Sequence, residues 1–292
     1  MDEKLKYYIS KTKNIATLFY WRFVSFIYFF NTKDKFGSII KKNREYIDSI
    51  DTFITPEQYK KNDYGIPGNI YKNIDKPINN NPTYSDLIIF LMSQFSKKNI
   101  TYLEIGVSVM KNFMQINNHL RDSTLVAYDI NEIINTFSKN FEISKDINTK
   151  LFLSNLNNNI IYYYQGDVLS LDDTSDFSNI LNLKYDFVMS DAMHTKEGIV
   201  SEFKNIIEGK LSDEFILYYD DLDFPELEEA AKNSFNQLSE KFDNLNFYTF
   251  WISGWVGQNE KMHKNGLITN MNIEQFLNKE KIKLPFFKKL SG

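Results

Sequence analysis

Carboxylates recur at the ends of hydrophobic runs in this chain: Glu104 in "ITYLEIGV", Asp129 in "STLVAYDI", Asp167 in "NIIYYYQGDV", Asp191 in "YDFVMSDA", and Asp220 with Asp221 in "EFILYYDDL". A single aspartate at such a place commonly caps the next helix or accepts from loop amides. Several together are costlier, because like charges repel unless a cation or a hydroxyl-rich ligand offsets them. His194 stands three residues past Asp191 and adds an imidazole that can exchange a proton near neutral pH.

Whether these groups meet depends on the elements that carry them. The apolar runs are short and rich in β-branched and aromatic residues, which reads as strands, and helical periodicity separates them. "YSDLIIFLMSQFSK" predicts an amphipathic helix capped by Thr83 or Ser85, and "KNFMQINNHL", "NEIINTFSKNFEISKDI", "TKEGIVSEFKNIIEGKL" and "FPELEEAAKNSFNQLSEKF" predict further helices, the last opening on Pro225. Strand and helix alternate five times, and "NFYTFWISG" with "GLITN" can pair as a hairpin at the edge. The expected fold is α/β: a doubly wound, Rossmann-like, mainly parallel sheet of seven strands with an N-terminal helical extension. In such a sheet the strand ends share one edge, so all six acids are delivered to one crevice.

The 292 residues suit one large domain with appendages. Residues 1–80 read as helix to about Ile50 and then a Pro-punctuated lid or linker, 81–270 as the main domain and 271–292 as a tail. A net charge of -4 opposes nucleic-acid binding, and the absence of cysteine excludes disulfides and thiolate chemistry, which fits a cytoplasmic protein. "IATLFYWRFVSFIYFF", residues 15–30, is shorter than the roughly 20 apolar residues needed to span a bilayer and carries Arg22 in its middle. It reads as a helix buried against the domain or in a homo-oligomer interface, in preference to peripheral contact with a membrane.

From about Tyr84 to Thr269 the sequence resembles class I S-adenosylmethionine-dependent methyltransferases, and among them the metal-dependent O-methyltransferases acting on sugars and catechols. "YLEIGVSVM", "VAYDI", "QGDV", "SDAMHTKEGIVSEF" and "ILYYDDL" carry the resemblance. It implies S-adenosylmethionine across the first two strands, with Glu104 and Gly106 on the methionine side, Asp129 at the ribose and Asp167 at the adenine amino group, and with Ser108 and Ser190 also binding the cofactor. It also implies Mg2+ held by Asp191, Asp220 and Asp221, with His194 or Asp191 as the base. The acceptor would be a small polyhydroxylated molecule, a sugar or glycan before a catechol. Residues 51–82 and "SGWVGQNEKMHKNG" would wall it. His119 and His263 read as surface or structural groups, Trp251 and Trp255 as packing. The first loop departs from the family pattern at Met110, where a small residue is expected, which predicts a displaced helix or a narrowed pocket. The alternative reading is a methyltransferase-like scaffold that has lost transfer activity.

Overall fold

In the computed structural model of the chain, residues 16–50 apart from 18, and 54–72, 81–143, 150–254 and 262–290, are described. A helix over 19–29 leads into α1 (Asp34–Ser49), α2 (Pro56–Lys61), α3 (Gly68–Tyr71) and α4 (Tyr84–Met92). Alternation then sets in with β1 (Thr101–Ile105), α5 (Lys111–His119), β2 (Thr124–Asp129), α6 (Asn135–Ser138), β3 (Glu142–Ile143), β4 (Leu151–Leu156) and β5 (Asn159–Gln165). It continues through α7 (Leu171–Ile180), β6 (Tyr185–Ser190), α8 (Lys196–Glu202), β7 (Leu211–Tyr219), α9 (Pro225–Ser239), β8 (Asn246–Ile252), β9 (His263–Thr269), α10 (Ile273–Lys279) and β10 (Lys288–Leu290).

One ten-stranded sheet results, in the order β10-β8-β9-β7-β6-β1-β2-β5-β4-β3, where seven strands were expected from the sequence. Its centre, β7-β6-β1-β2-β5, is parallel. Antiparallel strands extend both sides: β9, β8 and β10 beyond β7, and β4 and β3 beyond β5. The additional strands come from three places. β3 replaces the end of the helix expected over 131–147, of which α6 is a single turn. β4 forms a hairpin with β5 through Asn157 and Asn158, both at positive φ (58° and 62°), a backbone state that asparagine tolerates better than most residues. β10 recruits the C-terminal segment to the sheet.

Alternating strand residues feed two cores. Tyr102, Phe187, Met189, Ile216 and Tyr218 face a core shared with α1, α4 and α5; Leu103, Ile105, Val188, Leu217 and Tyr219 face one shared with α7, α8 and α9. β6 is buried at every residue, as expected of a strand covered on both faces. α4 is also buried all round rather than amphipathic. Thr83 precedes it as the cap, and its backbone N–H donates to Asp86 Oδ2 at 2.8 Å.

The same Asp86 ties the N-terminal region to the main domain. Arg44 of α1 donates to its Oδ2 at 2.7 Å and Asn43 to its Oδ1 at 2.6 Å, with Arg44 and Asp86 both buried. Breaking such a pair strands a buried charge, at a cost of several kcal/mol. Arg44→Ala should therefore lower stability by about 3 kcal/mol in urea denaturation; an unchanged midpoint would show that α1 contributes nothing to the cooperative fold.

Candidate active site

The chain winds from β1 outward through β2 to β5, then returns to lay β6 and β7 on the other side of β1. The switch point therefore lies between the carboxyl ends of β1 and β6, the place where open α/β sheets leave a crevice for ligands. Here the Asp191 N–H donates to the Ile105 carbonyl at 2.8 Å and the Gly106 N–H to the Tyr128 carbonyl at 2.8 Å. Gly106 has φ +87°, and a Cβ there would lie 2.3 Å from the Asp191 carbonyl oxygen. Only glycine allows the loops after β1 and β6 to approach so closely.

Asp129 organises the first loop. Its Oδ2 accepts the Ser108 N–H and its Oδ1 the Asn131 N–H, each at 2.8 Å. Burial pushes the Asp129 carboxyl above its usual range, against the pull of those amides. The Ser108 hydroxyl donates to the Tyr64 carbonyl at 2.7 Å, so part of the 54–72 segment lies over this loop. Ser108 and Met110 adopt positive φ, 49° and 62°. Met110 does not stand in the open: it is fully buried in the core shared with α4 and α5, directly before α5.

Glu104 turns inward, accepting from the Tyr102 hydroxyl at 2.6 Å and Asn112 at 2.9 Å, and burial pushes it up to about 8. Asp167 lies after β5, where its Oδ1 accepts the Leu169 N–H at 2.9 Å. The Ser190 hydroxyl donates to buried Glu202 of α8 at 2.5 Å.

The remaining acids meet two histidines. His194 sits between carboxylates, with Nε2 3.1 Å from Asp191 Oδ1 and Nδ1 3.2 Å from Asp221 Oδ2. Its hydrogen bond to Asp191 raises it to about 9, outweighing burial, and the charges of Asp191, Asp221 and Asp220 add to the rise. His263 Nε2 lies 2.7 Å from Asp220 Oδ1 and 3.9 Å from Asp221 Oδ1. Burial would raise Asp220, but the charge and hydrogen bond of His263 hold it below the usual carboxylate range. Asp191 and Asp221 are both pushed upward, by burial first and then by the charge of Asp220.

Asp220, Asp221 and His263 thus form a compact group whose potential ligand atoms all lie within 4.8 Å of one another. The histidine expected to be structural is the one that completes it. The sequence signal was present in register: β9 begins at His263, three residues earlier than the run "GLITN" suggests, and pairs Gly266 with Tyr219 directly before the two aspartates. The turn is also fastened by the Leu222 N–H donating to the Lys264 carbonyl at 2.7 Å, with Asp221 at φ 53°. Asp191 joins the group through His194. His119, by contrast, is structural as expected, its ring lying 2.8 Å from Asn43 Oδ1. Trp255 and the rest of 255–261, like 51–53 and 73–80 of the expected wall, lie outside the described residues.

No protein-family model and no curated protein matches the chain. Among solved structures it is similar to the O-methyltransferase TomG from Streptomyces achromogenes, in complex with SAM, at 12% identity and TM-score 0.47, covering 86% of this chain and 97% of that one. It is also similar to the plantazolicin methyltransferase BpumL in complex with a pentazolic desmethylPZN analog and SAH, at 14% identity and TM-score 0.42, covering 82% of this chain and 100% of that one. Likenesses at these values assign no activity to the chain.

Two measurements test this geometry. Gly106→Ala should cost about 2–3 kcal/mol of stability in denaturant, from the positive φ and the contact with Asp191 together; a neutral effect would mean the two loops are not in contact. Glu104 holds its proton in the folded chain up to about 8, against 4.5 as the ordinary value. Its contribution to stability is thus full below about 4.5 and lost as pH rises through about 8. Melting curves between pH 5 and 9 should fall less steeply for Glu104→Gln than for the parent, and parallel curves would place the carboxyl in water.

Proposed function

We propose that the chain is a class I S-adenosylmethionine-dependent O-methyltransferase whose acceptor is a hydroxyl of a small polyhydroxylated molecule, a sugar or glycan in preference to a catechol. The observation that carries this reading is the convergence at one switch point of two different kinds of acid. Asp129 holds a tight first loop on one side of Gly106; Asp191, Asp220 and Asp221, interleaved with His194 and His263, stand on the other. The first suits the hydroxyls and amines of a nucleoside, the second a polar acceptor with a divalent ion.

The donor set fits such an ion. Asp220 and Asp221 offer the hard oxygens that Mg2+ takes, and the His263 nitrogen widens the choice toward Mn2+. When bound, the ion supplies positive charge that orients acceptor oxygens and lowers the pKa of the hydroxyl. Everything else falls to side chains. Asp129 already accepts from the Ser108 and Asn131 amides and would be the carboxylate that meets the ribose hydroxyls. S-adenosylmethionine, when bound, would supply the methyl group to the acceptor oxygen and leave as S-adenosylhomocysteine, and the hydroxyl proton would go to a nearby base. Asp191 or His194, 3.1 Å apart, would be that base. With His194 raised to about 9, the pair carries a proton at neutral pH, and it would serve as the base only after positive charge nearby has sent that proton to solvent.

The test is calorimetry followed by turnover. S-adenosylhomocysteine should bind with micromolar affinity, and Asp220→Asn with Asp221→Asn should leave that binding within about threefold while reducing transfer by about 1,000-fold or more. Transfer should likewise stop in EDTA and return with Mg2+ or Mn2+. Absence of S-adenosylhomocysteine binding would reject the cofactor; full turnover in EDTA would reject the ion.

A further inference from the structure

The helix over 19–29 has two unlike faces. Trp21 stacks on Trp251 at 5.4 Å, Tyr28 meets Phe286 at 6.3 Å, Phe29 packs on Phe36 at 6.2 Å, and Val24 and Ser25 are buried between them. These residues fasten one face to the domain. The opposite face carries Phe19, Tyr20, Phe23, Phe26, Ile27 and Phe30, each exposed by 52–66%. At 100° per residue these six fall within an arc of about 120°, so they form a single stripe. Of the sequence reading, a helix buried against the domain or in a homo-oligomer interface, the first part holds for one face. Exposed aromatic side chains in such number are rare on a monomer surface and mark a site that something covers.

Charge identifies the occupant. Residues 1–42 contain nine Lys or Arg against three Asp or Glu, a net +6, while the remaining 250 carry 25 against 35, a net -10. Arg22 stands on the helix itself, and Lys33, Lys35, Lys41 and Lys42, also exposed, follow it in the chain. A two-fold contact between copies would bring these cations together, whereas an anionic bilayer attracts them. Among the described residues no helix is long and apolar enough to cross a membrane, which leaves the plane of the interface. Aromatic rings on one side and cations at the rim are the composition that this plane selects. We infer that the 19–29 helix seats the protein on an anionic membrane surface, with the Phe-rich face entering the headgroup boundary.

The position of this helix adds a geometric consequence. Trp251, on which Trp21 stacks, pairs with Lys264 in β9, the residue after His263. Trp21 therefore packs at the same end of the sheet as the acidic site.

Sedimentation of the full chain with extruded vesicles tests the inference. Binding should be strong to phosphatidylcholine containing about 30% phosphatidylserine, at least about tenfold weaker to phosphatidylcholine alone, and weakened by about 0.5 M salt. Phe23→Ser with Phe26→Ser, and separately Arg22→Glu with Lys33→Glu, should each reduce binding to anionic vesicles by about tenfold or more. All four residues are exposed, so circular-dichroism melts should match the parent and separate lost binding from lost folding. Failure of the parent to sediment, or sedimentation unchanged in both double variants, would overturn the inference. So would a dimer in light scattering that Phe23→Ser with Phe26→Ser dissociates, with no vesicle binding in the parent, because a second copy would then be what covers the face.

Discussion

Repulsion among carboxylates at one end of the sheet is the constraint around which this molecule is arranged. The charge of Asp220 pushes both Asp191 and Asp221 upward, on top of the larger effect of their desolvation. Two imidazoles placed between them relieve it. His194 bridges the loop after β6 to the turn after β7, and His263 bridges that turn to the start of β9. A methyl donor and a divalent ion are the cargo such a place is suited to hold, in the function proposed above, yet the protein's own cations already take part of the load. This is why His194 is drawn upward rather than left near its usual value.

Much of this was legible in the sequence, and for a physical reason. Parallel strands covered on both faces are written as unbroken apolar runs, so β1, β2, β5, β6 and β7 and their terminal acids could be located, and the winding rule then delivers those acids to one edge. What escaped notice depended on antiparallel pairing, which leaves weaker marks. "LFLSNLNNNI" contains a hairpin whose turn is Asn157-Asn158, and the role of these asparagines is visible only in their positive φ. His263 was missed for the same reason: its meaning lies in a register with β7 across the sheet. Met110 was a sequence anomaly with a packing explanation, since the side chain belongs to the core.

The acidic site also leans on distant parts of the chain. Ser108 is held by Tyr64, and α1 is pinned to α4 through Arg44 and Asp86. Phe36, Ile54, Tyr64 and Ile66 of the N-terminal region share one apolar cluster with Tyr102, Met110 and Tyr218 beneath the site. Binding loops are usually mobile elements on a rigid scaffold, but here the first loop is tied down by hydrogen bonds at Ser108 and by burial at Met110.

The flanks of the sheet bear on how the protein survives at high concentration. Ten strands in one open layer leave two rows of unpaired backbone groups, each an invitation to a neighbouring chain. One flank is β3, only two residues long; the other is β10, three residues of which two are Lys288 and Lys289. β3 covers only two residues of β4 and β10 only three of β8, and Lys288 and Lys289 place positive charge on that second flank, a feature that discourages a neighbouring strand from pairing there.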